Sequence, residues 1–172
     1  MPLEAAPKFI CDDMLGELAR WLRIIGSDVF YRNRLANDEL IDIAAREGRI
    51  VLTRDLKLGR VLFDHGLPYY LVIENYPALQ LREVVAHYSD RIRIRVFSRC
   101  TECNLVLEPV AKPAVEARVP PFVFQTQTNF RECPNCKKVY WAATHRAHVD
   151  EQLKYLLGEM YDKLNEEVWT SG

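Results

Sequence analysis

No apolar run in the sequence approaches the roughly 20 residues that a membrane-spanning helix needs, and Met1 to Pro7 lacks the apolar core of a secretory signal. The expectation is a cytoplasmic protein with no membrane partner. Net charge is almost absent as well. A formal value of −1 gives no global electrostatic ground for binding nucleic acid or lipid, so such a partner has to be argued from local patches. There is no internal repeat and no low-complexity segment, which excludes a repeat array and leaves an ordinary globular chain. The 172 residues are 49% hydrophobic and 27% charged. That suffices for one domain, or for a smaller one with an appendage.

Cysteines are few and odd in number, five in all, yet four fall into two C-x-x-C pairs, Cys100 with Cys103 and Cys133 with Cys136. In an intracellular chain this spacing reads as metal ligation before disulfides. Two such turns brought together offer four thiolates in a tetrahedron, the arrangement of a closed structural zinc site. Pro134 and Asn135 favour the tight backbone of the second turn. A redox motif would need only one pair, beside a βαβ pattern. A closed zinc site supplies folding energy and shape rather than chemistry. Cys11, the fifth, reads as a small buried hydrophobe.

Lys8 to Asp12 is a strand candidate that ends in two adjacent acids, Asp12 and Asp13. Leu15, Leu18, Ala19 and Leu22 then follow with helical spacing until Gly26. Asp28 to Tyr31 is a brief second strand, and Asn37 an N-cap for a helix from Asp38 to Glu47. Ile50 to Thr53 is a third strand, leading through Arg54 to Asp55. Tyr69 to Ile73 is a fourth, a helix starts at Pro77, and RIRIRV from Arg91 to Val96 alternates like a strand with one basic face. Strands separated by helices of about ten residues predict a parallel α/β sheet. Past Ser98 the pattern changes. Prolines 109, 113, 120 and 121 argue against a helix between the cysteine pairs, while 122–124 and 139–141 read as short strands. A single apolar stripe from Val149 to Val168 predicts a terminal helix. The expected organisation is an α/β domain over residues 1–97, a zinc ribbon over 98–148 and a C-terminal helix over 149–172.

Chemistry then falls to the acids. Asp12 and Asp55 both close apolar strand runs, so a parallel sheet brings them to the same edge, where ligands of open α/β sheets collect; Asp38 stands at the head of the helix between them. Clustered carboxylates suit a hard ion such as Mg²⁺ or Mn²⁺, which would assist attack of water on a phosphodiester. Each acid also has a local explanation as a helix cap.

The segments FICDDMLGELARWLRIIGSDV, NDELIDIA and GRIVLTRDLKL, followed by the two C-x-x-C pairs and VYWAATH, resemble the Mut7-C family, which joins a PIN-like ribonuclease fold to a zinc ribbon. The likeness runs from about Lys8 to His148 and is carried chiefly by M-L-G-x-L-A-R-W-L-R and the T-R-D triplet. It implies a PIN-like sheet flanked by helices and hydrolysis of single-stranded RNA, with Asp12, Asp38 and Asp55 holding Mg²⁺ or Mn²⁺. Many PIN-like domains carry a fourth acid, for which Asp13 and Glu74 are the candidates.

Phosphate contacts would come from Arg20 and Arg23, one helical turn apart, and from Arg54 beside Asp55; Arg91, Arg93 and Arg95 share a further face. The ribbon is a candidate docking surface for nucleic acid or protein, with Phe122, Phe124, Tyr140 and Trp141 as stacking planes. Two other functions compete. A phospho-accepting receiver domain also pairs two acids after its first strand with an aspartate after its third, but it would want a lysine where Phe97, Ser98 and Arg99 stand. A degenerate PIN-like module with a ribbon would bind RNA or a ribosome without cutting.

Overall fold

The structure is a computed structural model that describes residues 5–142 and 144–169. Residues 1–4 and 170–172, at the outer ends of the first and last segments expected from sequence, lie outside it. Four parallel strands form the main sheet in the order β2-β1-β3-β4: β1 Lys8–Cys11, β2 Asp28–Phe30, β3 Ile50–Thr53 and β4 Tyr69–Leu71. Each is short and nearly all apolar because helices cover both faces, as a parallel sheet requires. Phe9, Cys11, Ile50 and Leu52 face one layer, made by α1 Gly16–Ile24 and α4 Pro77–His87. Ile10 and Val51 face the other, made by α2 Asn37–Glu47 and α3 Leu56–Asp64.

The ribbon is a three-stranded antiparallel sheet of β5 Glu108–Val110, β6 Phe130–Glu132 and β7 Val139–Trp141. The chain between its cysteine pairs is partly helical, against the expectation from its prolines. A 3₁₀ segment covers Lys112–Arg118, and α5 covers Pro121–Thr126 where a strand was expected. Pro113 and Pro121 sit in the first turns, where a missing N–H costs nothing, Pro120 caps α5 and Pro109 lies in β5. Phe130, Val115 and Val119 form the small core under them.

Three other expectations change. Arg91 to Val96 is not a sheet strand. Ile92, Ile94 and Val96 are buried in alternation, but the segment joins neither sheet and makes a single-residue bridge from Ile94 to Asn165, and Arg93 and Arg95 pair with Glu166. Asn37 is the first residue of α2 rather than its cap. The terminal helix is two, α6 Thr144–Leu157 and α7 Glu159–Leu164, broken at Gly158 with φ of 57°. Val149, Leu153, Leu157, Tyr161 and Leu164 from this pair belong to the same core as α1 and α4.

Candidate active edge and metal centre

Passing from β2 to β3, the chain crosses β1, so the sheet's topological switch point lies between β1 and β3. Open α/β sheets bind ligands there, beyond the carboxyl ends of the strands. Asp12 occupies the point. Its backbone N–H still donates to Leu52 O at 3.0 Å, in register with β3. One carboxylate oxygen accepts from Asp13 N at 2.7 Å and caps the turn that follows; the other accepts from the Thr53 hydroxyl at 2.8 Å. Thr53 Oγ1 in turn accepts from Asp55 N at 3.0 Å. Thr53 is fully buried and joins the two acids across the strand gap. It was visible as the T of T-R-D, but a strand-end threonine carries no signal until its partner is known.

Asp55 caps α3, its Oδ1 accepting from Lys57 N at 2.8 Å and Leu58 N at 3.4 Å. Asp13 Oδ1 accepts from Arg34 N at 2.6 Å, which ties it to the loop after β2. Asp38 is exposed in the first turn of α2. Glu74 is exposed too, and the acid that acts beside it is Glu83, whose carboxylate accepts from Tyr70 OH, Ile73 N and Glu74 N and so clamps the loop after β4. Among the described residues, the aspartates do not form a group of three or more that could hold a metal ion as they stand.

Two further side chains belong to this edge. The Tyr31 hydroxyl donates to Asp13 O at 3.2 Å, and burial, then the negative charge of Asp13, Cys11 and Asp12, holds its phenol above the ordinary value. A Cβ on Gly16 would lie 2.7 Å from that hydroxyl, so glycine is needed for Tyr31 to approach. Arg54 donates to Asn75 Oδ1 at 2.6 Å, while its buried Nε has no partner among the described residues. Met14, Leu56 and Ile73, which follow β1, β3 and β4, are exposed and rim the edge with apolar surface.

Arg20 and Arg23 lie elsewhere. Helix α1 runs back from the acidic edge, which carries both away from it. Arg23 is buried: its Nε donates to Val29 O at 3.0 Å and its Nη1 to Thr101 O at 3.0 Å and Glu102 O at 3.2 Å. It fastens α1 and β2 to the first cysteine turn through Nε and Nη1. Burial lowers its pKa, opposed by the nearby Cys11, Cys100 and Cys103 thiols and Glu102.

The four cysteines are gathered. Their Sγ atoms all lie within 4.8 Å of one another, with Cys100 and Cys136 at 3.8 Å. The two turns repeat one geometry. Asn104 N donates to Cys100 O and Lys137 N to Cys133 O; Cys100 N donates to Leu105 O and Cys133 N to Lys138 O. Asn104 and Lys137 both take positive φ, 64° and 62°. Burial would raise the Cys100 thiol, but Tyr140 OH, at 3.4 Å, and the backbone donors of Cys103 and Glu102 bring it down to about 7. The Lys138 N–H favours the Cys136 thiolate, yet burial and the other three sulfurs push it up to about 12. Four sulfurs so close cannot all ionise without a cation among them, and the set is right in type and number for zinc.

The ribbon is fixed to the edge strand of the main sheet. Asn104 Oδ1 accepts from Val29 N at 2.9 Å, filling a backbone valence that an edge strand leaves open, and its Nδ2 donates to the Asp28 carboxylate at 2.7 Å. The segment before the C-terminus seals the other side, with Trp169 Nε1 donating to Val96 O at 3.1 Å and the ring packed with Cys100, Cys133 and Tyr140.

A parallel α/β domain with acids at its switch point and a four-cysteine ribbon docked on its edge strand is the class these features define. The chain belongs to the Mut7-C RNAse domain family, whose profile matches residues 7–153. It is also similar to a human protein described as an exonuclease mut-7 homolog, 32% identical over 104 residues, which is 56% of this chain and 12% of the human protein. No solved structure matches it. Among the described residues, no helix is long and apolar enough to cross a membrane.

Proposed function

We propose that the protein is a ribonuclease that hydrolyses phosphodiester bonds of single-stranded RNA at the β1–β3 edge, with Mg²⁺ or Mn²⁺ as cofactor and zinc as a structural ion in the ribbon. The observation that carries this is the chain Asp12–Thr53–Asp55, in which one buried hydroxyl donates to the Asp12 carboxylate and accepts from the Asp55 backbone N–H at the switch point. Asp12, Asp38 and Asp55 would hold the ion, with Asp13 as fourth acid. Separate oxygen donors rather than a closed cage fit Mg²⁺, which keeps several waters and takes one or two carboxylates with substrate phosphate. Such an ion, when bound, supplies charge neutralisation and an activated water.

The chain's own residues do the rest. Asp12, fixed through both carboxylate oxygens, holds its position without reorganising as charge builds on the phosphate. Arg54, beside Asp55 at this edge, clamps a non-bridging phosphate oxygen. The apolar rim of Met14, Leu56 and Ile73 receives bases without reading them. Arg23 is left out of this scheme because its guanidinium is already engaged. A second reading, a ribbon-bearing module that binds RNA without cutting, draws on the fact that Asp12 and Asp55 both cap turns or helices.

Zinc-loaded wild type and Asp12→Asn, given labelled single-stranded RNA with and without added Mg²⁺ or Mn²⁺, separate the two. Cleavage that requires the added ion and falls at least about 100-fold in folded Asp12→Asn supports the nuclease. RNA binding by both proteins with cleavage by neither supports the module.

A further inference from the structure

Away from the acidic edge, α1, the ribbon and α6 enclose a cavity of about 240 Å³. Three cations from three separate elements reach it: Arg20 of α1, Lys138 from the turn before β7 and Arg146 of α6. Phe97, Tyr140 and Trp141 supply aromatic walls, and among the described residues no carboxylate lines it. In a chain of net charge −1, that is a local excess of positive charge around flat apolar surface.

Two of the three charges are not neutralised by the fold. Arg20 makes no ion pair among the described residues, and Lys138 meets only the Tyr140 ring, at 5.3 Å from its centroid. Arg146 is held in place by ion pairs with Glu167 and Asp150, although its buried Nε makes no hydrogen bond among the described residues. The Tyr140 ring is immobilised from behind, its hydroxyl donating to Cys100 Sγ and accepting from Thr101 N. The floor of the cavity is thus held by the cysteine cluster.

We infer that this cavity is a binding subsite for one nucleotide of a single-stranded RNA, the base against Trp141 and Tyr140 and the flanking phosphates on Arg20, Lys138 and Arg146. The proposal rests on RNA as the substrate class but not on cleavage. Size favours a single unit, since the volume falls below the roughly 300 Å³ at which pockets for drug-sized ligands begin. Cations beside stacking planes are the arrangement by which single strands are held without base selection. The ribbon thereby takes part in binding, because it builds the wall that α1 and α6 alone lack. It keeps a stretch of the strand anchored while another segment lies on the acidic edge.

The test is binding of a labelled short oligouridylate to the zinc-loaded chain without added Mg²⁺ or Mn²⁺, by fluorescence anisotropy across a salt series. The proteins are wild type, Arg20→Glu/Lys138→Glu, Trp141→Ala and Trp141→Phe. Both exchanged cations are exposed, so the double variant should fold. It should bind at least about tenfold more weakly, with a salt dependence shallower by about 1.4, the loss of two contacts to a single strand at about 0.7 each. Trp141→Ala should weaken binding about tenfold while Trp141→Phe stays near wild type. A double variant with unchanged affinity and salt slope overturns the subsite and leaves the cavity to another class of ligand. If that same variant still cleaves RNA in added metal, the nuclease reading survives; if wild type binds through the cavity but never cleaves, the subsite survives and the nuclease reading falls.

Discussion

Thr53 is where one atom carries the most structure. Its buried hydroxyl donates to Asp12 and accepts from Asp55 N, so Thr53→Val, nearly equal in volume, removes a donor and an acceptor together. Leaving a buried carboxylate oxygen and a backbone N–H unmatched should lower stability by roughly 1–3 kcal/mol in urea unfolding, and loosen Asp12 enough to slow cleavage. Thr53→Ser, which keeps the hydroxyl, should recover most of both; equal losses in the two variants would remove the hydroxyl from the argument. Arg23 makes the opposite point. From sequence it reads as a phosphate contact one turn from Arg20, because nothing local distinguishes a solvated arginine from one that meets three carbonyls, two of them 78 and 79 residues away. Asp12 and Asp55 were legible as strand-ending acids; Tyr31, Thr53 and Glu83 were not, since their roles exist only through partners in other segments.

At the scale of elements, apolar runs located all four parallel strands and helical spacing located α1 and α2, because burial on both faces leaves a continuous signature in the sequence, whereas the stretch after Asp55, which folds as α3, reads only as a short helix or an irregular turn. Segments held by one neighbour misled. RIRIRV has the period of a strand and the matching burial, yet it lies between the end of α1 and the C-terminal segment, bonded through Arg95 N to Ile25 O and Ile94 N to Leu164 O. The proline-rich stretch misled the other way, since proline ends a helix but also starts one. The junction between β2 and the ribbon gives a prediction in pH. Burial alone would raise the Asp28 carboxyl, but hydrogen bonds from Arg49 and Asn104 and the charges of Arg49 and Arg99 hold it below the ordinary carboxylate value. Its folded pKa is therefore below its unfolded one, so its contribution is complete above the unfolded value of about 3.9 and is lost as pH falls through the folded value. Urea midpoints recorded against pH should show a shallower acid limb in Asp28→Asn than in wild type. Parallel limbs would show that Asp28 does not govern this junction.

For the whole molecule, the ribbon, the sheet domain and the terminal helices depend on one another. The cysteine cluster shares a core with Tyr140 and Trp169, and α6 and α7 fill the core over α1 and α4. Removing the metal should therefore destabilise more than the ribbon: chelation of the zinc-loaded chain should lower the melting temperature of the far-ultraviolet helix signal as a single transition. Two separate transitions, with the helices unaffected, would contradict this coupling. Metal analysis should give one zinc per chain, and Cys133→Ser should reduce it.

The central claim is that acids which visibly cap helices also perform chemistry, and Asp55 lets the two roles be parted. Asparagine is about as good an N-cap as aspartate, whereas alanine costs roughly 0.5–2 kcal/mol. The measurement is the rate of RNA cleavage in added Mn²⁺ for wild type, Asp55→Asn and Asp55→Ala, each with its unfolding free energy. Asp55→Asn should keep wild-type stability yet lose cleavage as completely as Asp55→Ala does. An Asp55→Asn protein that cuts at the wild-type rate, with only the destabilised alanine variant impaired, would reduce Asp55 to a cap and contradict the account.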